Sequence, residues 1–79
     1  MNAELIKILS ADIRVSEDLL VPDTSLDEAG VDSLAVVELS VLLTERLGIT
    51  VADEDIARAA TLGDIDRLVV DQLEGHGGR

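Results

Sequence analysis

The fifteen residues from Ser33 to Leu47, SLAVVELSVLLTERL, constrain what this chain can fold into more than any other stretch. Val36, Leu39, Leu43 and Leu47 recur at i, i+3, i+7 and i+11, one continuous face of an α-helix. Leu34, Val37 and Val41 run along a neighbouring face. Arg46 stands in the last turn, where a cation suits the helix dipole, and Gly48 supplies the stop. Apolar residues therefore cover more of this helix than one core contact needs. The chain has no Phe, Tyr, Trp or Cys, so its core is built from Leu, Ile, Val and Ala, with no disulfide and no thiolate site. At 79 residues it is long enough for one small domain, which buries only about 60% of its unfolded surface.

The flanking segments also read as helices. In 3–15, Leu5, Ile8 and Leu9 fall at i, i+3 and i+4, Ile13 extends the stripe, and Asn2 can cap the start. Residues 16–31 hold the turn and cap formers Ser16, Pro22, Asp23, Thr24, Ser25, Asp27 and Gly30. Leu19, Leu20, Val21, Leu26 and Val31 are expected to pin this long loop to the core, with a helical turn near Leu26–Glu28. A short helix over 53–59 opens with Asp53-Glu54-Asp55, acids that favour a helix N-terminus, and its buried candidates are Ile56 and Ala59. Thr61-Leu62-Gly63-Asp64 resembles a capping box with Asp in the place of Glu. It opens a last helix, 64–74, with Ile65, Leu68, Val69 and Leu73 inward. Ile49-Thr50-Val51 is β-branched but too short for a strand. The expected architecture is all-α: a small four-helix bundle of three longer helices and one short one, with a long first loop. Residues 1–74 form the domain and 75–79 a frayed tail.

Charge narrows the function. A formal net charge of −11 repels phosphates and anionic lipid, so nucleic acid and membrane surfaces are disfavoured and a basic partner suits. The single His, at position 76, disfavours a zinc cluster, and no metal site is expected. No apolar run approaches membrane-spanning length, and MNAELIKILS lacks the order of a secretory signal, so a cytoplasmic protein is the default; the short chain with its own Met1 suggests a stand-alone subunit, and a monomer is expected. Acids and glycine in DTSLDEAGVDS do not fall at calcium-loop spacing.

Ser33 carries the chemical question, and three readings compete. As a helix cap it is spare, because Asp32 already suits that role. As a hydrolytic nucleophile it lacks a base, an orienting partner and a G-x-S-x-G elbow. As a modification site it would set a phosphate over the free N–H groups of the first helical turn, which favour an anion. The stretch GVDSL at 30–34 resembles the prosthetic-group attachment motif of acyl carrier proteins. The similarity spans nearly the whole chain: an opening helix, a loop with DTSLDEAGVDSL, a helix reading LAVVELSVLLTERLGI, then VADEDIARAATLGDIDRLV.

The resemblance implies a non-catalytic carrier. Ser33 would hold a 4'-phosphopantetheine arm, taken from coenzyme A by a phosphopantetheinyl transferase, with Asp32 beside it. Acyl cargo would ride on the arm as a thioester between partners such as a ketosynthase or an acyltransferase or ligase with basic docking patches. Partner-binding positions carried over from the family are Leu34, Val37, Glu38, Val41, Glu45 and Ile56. Ala35, Thr44, Arg46 and Ala57 stand where fatty-acid carriers often have acids, which leans towards polyketide or another specialised biosynthesis. An aminoacyl or peptidyl carrier, or an unmodified acidic adaptor, are the alternatives. With no aromatic plug, the bundle could part for cargo near Val36, Leu43 and Ile65.

Overall fold

The computed structural model describes residues 1–75; the predicted tail from His76 onward lies outside the described residues. The elements are α1 (Ala3–Lys7), continued by a π-helical turn (Ile8–Asp12), a 3₁₀ turn (Glu17–Leu19), α2 (Leu26–Ala29), α3 (Ser33–Leu47), α4 (Asp53–Arg58) and α5 (Leu62–Leu73). The all-helical bundle is the one the periodicity predicts, and α2 is the helical turn expected near Leu26–Glu28. An isolated antiparallel bridge between Ser25 and Thr61 is the one piece of β pairing among the described residues.

The first helix begins where Asn2 predicts. Its side chain accepts from the Glu4 and Leu5 N–H groups at 2.9 and 3.0 Å. Its own N–H donates to Asp66 Oδ1 at 2.7 Å, joining the start of the chain to α5. The helix ends at Asp12 rather than 15. Ile13 N–H reaches back to the Ile8 carbonyl at 3.0 Å and Val15 N–H to the Leu9 carbonyl at 2.8 Å, wider spans than an α-turn. Arg14 leaves the helix with φ at 71°, a left-handed conformation that costs a residue with a Cβ about 1–2 kcal/mol.

α3 is the central element. Val36, Leu39 and Leu43 are buried and Leu47 is half-buried, as the first stripe predicts. The Ser40 hydroxyl donates to the Val51 carbonyl at 2.7 Å, which holds the following connector against α3. That connector buries Ile49 and Val51, so the β-branched triplet anchors the core without forming a strand. Arg46 ion-pairs with Asp12 at 3.0 Å, tying the end of α3 to the π turn.

The long loop is held by the N-terminus of α5. Leu62 N–H donates to the Thr24 carbonyl at 2.9 Å and Gly63 N–H to the Pro22 carbonyl at 3.0 Å. These are two of the amide groups a helix start leaves without partners, so the loop and the helix satisfy each other. Thr61 Oγ1 accepts from Asp64 N–H at 3.3 Å, while Asp64 Oδ2 accepts from Ala60 N–H at 3.1 Å. The expected capping box is therefore present in a stretched form, reaching one residue before the cap. It starts α5 at Leu62, two residues earlier than predicted, with Leu62 fully buried. Two apolar expectations fail: Val21 and Leu73 are exposed, Val21 at the loop's outer edge and Leu73 in the last turn of α5.

Gly63 is required by this close approach. A Cβ there would lie 3.0 Å from both the Pro22 Cβ and the Pro22 carbonyl oxygen. Proline's ring and a hydrogen-bonded carbonyl have little freedom to retreat. Ala is favoured over Gly by up to about 1 kcal/mol inside a helix, less in its first turn, against about 1–3 kcal/mol for forced overpacking. Gly63→Ala is expected to lose about 1 kcal/mol in chemical denaturation. An unchanged or raised midpoint would mean that the loop yields freely.

Candidate functional site

The approach to Ser33 is built by local rules. The Ser25 hydroxyl accepts from Glu28 N–H at 3.1 Å and the Glu28 carboxylate accepts from Ser25 N–H at 3.0 Å, a reciprocal cap that closes the four-residue α2. Gly30 follows with φ at 77°, a conformation that suits a residue without a Cβ. Gly30 N–H bonds the Asp27 carbonyl and Val31 N–H the Leu26 carbonyl, the paired bonds of a Schellman ending. Val31 is buried, and the chain turns outward at Asp32.

Asp32 caps α3. Its Oδ1 accepts from Ala35 N–H at 2.9 Å, and its carbonyl receives Val36 N–H at 2.9 Å. Ser33 is the first helical residue, is exposed, and its hydroxyl makes no hydrogen bond among the described residues. The cap role is thus filled by the aspartate, which leaves the serine oxygen unengaged. Two open grooves meet at Ser33. One, of about 400 Å³, is lined by Leu26, Val31, Asp32, Val36 and the small residues Ala57, Ala59 and Ala60 among others. The other, of about 200 Å³, lies between α3 and α4 and is lined by Val36, Val37, Asp53, Glu54 and Ala57. The charged side chains of both grooves are acidic. Among the described residues, no cluster of three metal-ligating side chains forms and no helix is long and apolar enough to cross a membrane.

Residues 3–69 match the family of phosphopantetheine attachment sites. An acyl carrier protein, MbtL, from Mycolicibacterium paratuberculosis is 36% identical over 70 residues, covering 87% of this chain and 79% of that protein. An acyl carrier protein from Clostridium perfringens is 33% identical over 75 residues, covering 94% of this chain and 99% of that protein. The chain belongs to the acyl carrier protein family. Its prosthetic group is accordingly 4'-phosphopantetheine, and its role is to carry acyl groups. No solved structure gives a significant match.

The carrier fold sorts the predicted partner-binding positions. Leu34, Val37 and Val41 are exposed at 75%, 47% and 51%, and Glu38 and Glu45 are exposed on the same helix. Ile56 does not belong with them. It is fully buried, facing inward from α4 into the core with Leu39 and Ile65, and offers nothing to a partner; its place is the one its helical position in 53–59 predicts. Sequence reasoning named Ala57 and Ala59 for other reasons and passed over Ala60; that the three line this groove was not foreseen, and the one available signal was the small side chains at 57, 59 and 60.

The division of labour between Asp32 and Ser33 has a thermodynamic signature. Asp32→Ala removes the cap and is expected to cost about 1 kcal/mol, a drop of about 4–8 °C in Tm for a domain of this size. Ser33→Ala is expected to change stability by less than about 0.5 kcal/mol. Thermal melts in which the serine variant loses as much as the aspartate variant would return Ser33 to the role of a cap.

Proposed function

We propose that Ser33 is the residue that bears the phosphopantetheine arm. The observation that carries this is an exposed hydroxyl without a hydrogen bond at the first position of a fifteen-residue helix whose cap is supplied by its neighbour. The residues suit the group. The first amide N–H groups of α3 have no carbonyl behind them, and the dipole of a long helix places partial positive charge where a phosphodiester would sit. In the transfer, Ser33 Oγ bonds to the phosphorus that bears pantetheine, the bond from that phosphorus to the adenosine bisphosphate breaks, and the hydroxyl proton leaves to a base on the transferase. When bound, the group supplies the thiol that this cysteine-free chain lacks. Asp32 keeps the serine at the helix mouth and adds a negative charge for a basic transferase to meet.

The exposed side of α3 is the docking face in this reading. Leu34, Val37 and Val41 form an apolar line, and Glu38 and Glu45 flank it with negative charge. The line is what a helix keeps when only one of its two apolar faces is used by the core. The partners are a phosphopantetheinyl transferase and pathway enzymes with basic patches, among them a ketosynthase or an acyltransferase or ligase. The setting is the cytoplasm, and the carrier itself performs no catalysis. The thinness of the acidic face, with Thr44 and Arg46 in the second half of α3 and Arg46 engaged by Asp12, favours a specialised pathway such as polyketide assembly over fatty-acid synthesis.

Two measurements test this. Incubation with coenzyme A and a broad-range transferase should add the mass of one phosphopantetheine to the wild type and none to Ser33→Ala; an equal gain in the variant would place the arm elsewhere. Glu38→Lys should slow the same modification about 10-fold at low ionic strength. The deficit should shrink as added salt shortens the Debye length from about 30 Å at 0.01 M to about 3 Å at 1 M. A salt-independent deficit would argue against charge-guided docking on this face.

A further inference from the structure

α4 is lightly held. Of its six residues only Ile56 is buried, and its cap, Ala52, makes no side-chain hydrogen bond. Its main helical neighbour is α3. A helix this short is stabilised by packing rather than by propensity. Whatever fixes α4 against α3 therefore also sets how often it moves away.

One polar contact does this. The Ser40 hydroxyl donates to the Val51 carbonyl at 2.7 Å, two residues before α4 begins. Val51 is buried, and a buried carbonyl deprived of its donor is costly. Serine is a poor choice inside a helix unless its hydroxyl is used. Here it bonds a carbonyl eleven residues away, outside its own helix.

This clasp lies on the same side of α3 as Ser33. Seven residues turn a helix through about 700°, about 20° short of two full turns, and rise about 10.5 Å. The groove shared by α3 and α4 includes Ser33 itself, with Val36 and Val37 from α3 and Asp53, Glu54 and Ala57 from α4. Val36, and Ile56 beside Ala57, belong to the same buried cluster as Leu39, Leu43 and Ile65. A chain borne on Ser33 thus meets the core where α3 and α4 adjoin, and no aromatic ring stands in its way.

Magnitudes decide what the clasp can do. Each methylene taken out of water favours entry about 4-fold. A hydrogen bond that must break for α4 to swing aside opposes entry by about 10-fold at most. The clasp is therefore worth about one to two methylenes. That is too little to bar a long chain and enough to decide for a short one.

We propose that Ser40 is a positioning residue that sets the shortest saturated chain able to enter the bundle between α3 and α4. It acts through Val51, on the entry to α4. Chains below the threshold stay outside, within reach of partners, and longer ones are sheltered. This deepens the carrier reading and rests on it.

Hydrogen exchange on the unloaded protein tests the clasp without any arm. In Ser40→Ala, the α4 amides should exchange up to about 10-fold faster, while those of α1 and α5 hold their rates. Ser40→Thr, which keeps a hydroxyl, should behave as the wild type. Equal acceleration throughout the chain would make Ser40 merely structural and overturn the inference. The second measurement loads isotope-labelled protein, through the transferase, with straight-chain acyl arms lengthening by one carbon from butanoyl to decanoyl. Intact mass establishes that one arm is present and that Ser33→Ala takes none; a wild type that gains no mass ends the carrier reading and this inference with it. With the arm in place, the shortest chain that shifts the Val36, Leu43 and Ile65 methyls should be about one to two carbons shorter in Ser40→Ala than in the wild type or Ser40→Thr. Thresholds that coincide in all three proteins, or methyls that hold still at every length, would overturn the inference and leave the carrier intact.

Discussion

The position of Ser33 depends on how the amide groups at the start of α5 are satisfied. A helix begins with donors that have no carbonyl behind them. Here two of those donors, on Leu62 and Gly63, are taken by the carbonyls of Thr24 and Pro22. The exchange turns a connection running from residue 16 to residue 31 into a fixed piece of structure, which a chain of this size could not order by burial alone. Everything downstream inherits that fix: the reciprocal cap at Ser25 and Glu28, the left-handed turn at Gly30, the buried Val31, and then the aspartate that starts α3.

The parts of this arrangement that were legible in the sequence are those governed by period or by capping chemistry. The stripe Val36, Leu39 and Leu43 faces the core, Asn2 and Asp32 cap their helices, and the second line on α3 stays outside. The parts that were not legible depend on contacts between distant residues. Sequence spacing places Leu62 before its helix, yet Thr61 caps α5 and Leu62 is its first residue, with its N–H bonded to the distant loop. Ile49 and Val51 are too few to signal an element, yet both are buried because Ser40 draws their connector in. Val21 and Leu73 are apolar but exposed among the described residues, and pattern alone does not report coverage. Ile56 carries a family position for partner contact and a helical position for the core, and packing decides for the core.

Function is similarly split between what the chain supplies and what it borrows. Its own residues give a rigid helix mouth, an unengaged hydroxyl and a negatively charged surface; the reactive thiol comes with the prosthetic group. Arginine is used sparingly and mostly close to acids: Arg46 is held by Asp12, and Arg58 and Arg67 stand near Asp55 and Asp64. The neighbourhood of Ser33 is left to carboxylates alone. A basic partner would therefore meet a field of one sign as it approached Ser33, and such a field acts on encounter rate more than on the strength of the final complex.

The aliphatic core has a consequence for how this protein can be watched at work. Without Phe, Tyr or Trp it lacks the ring currents that spread methyl resonances and the indole that reports by fluorescence. Any indole emission from a complex, and nearly every ring-shifted methyl on α3, would originate in the enzyme bound to it. The carrier is thus a silent background against which each partner paints its own footprint.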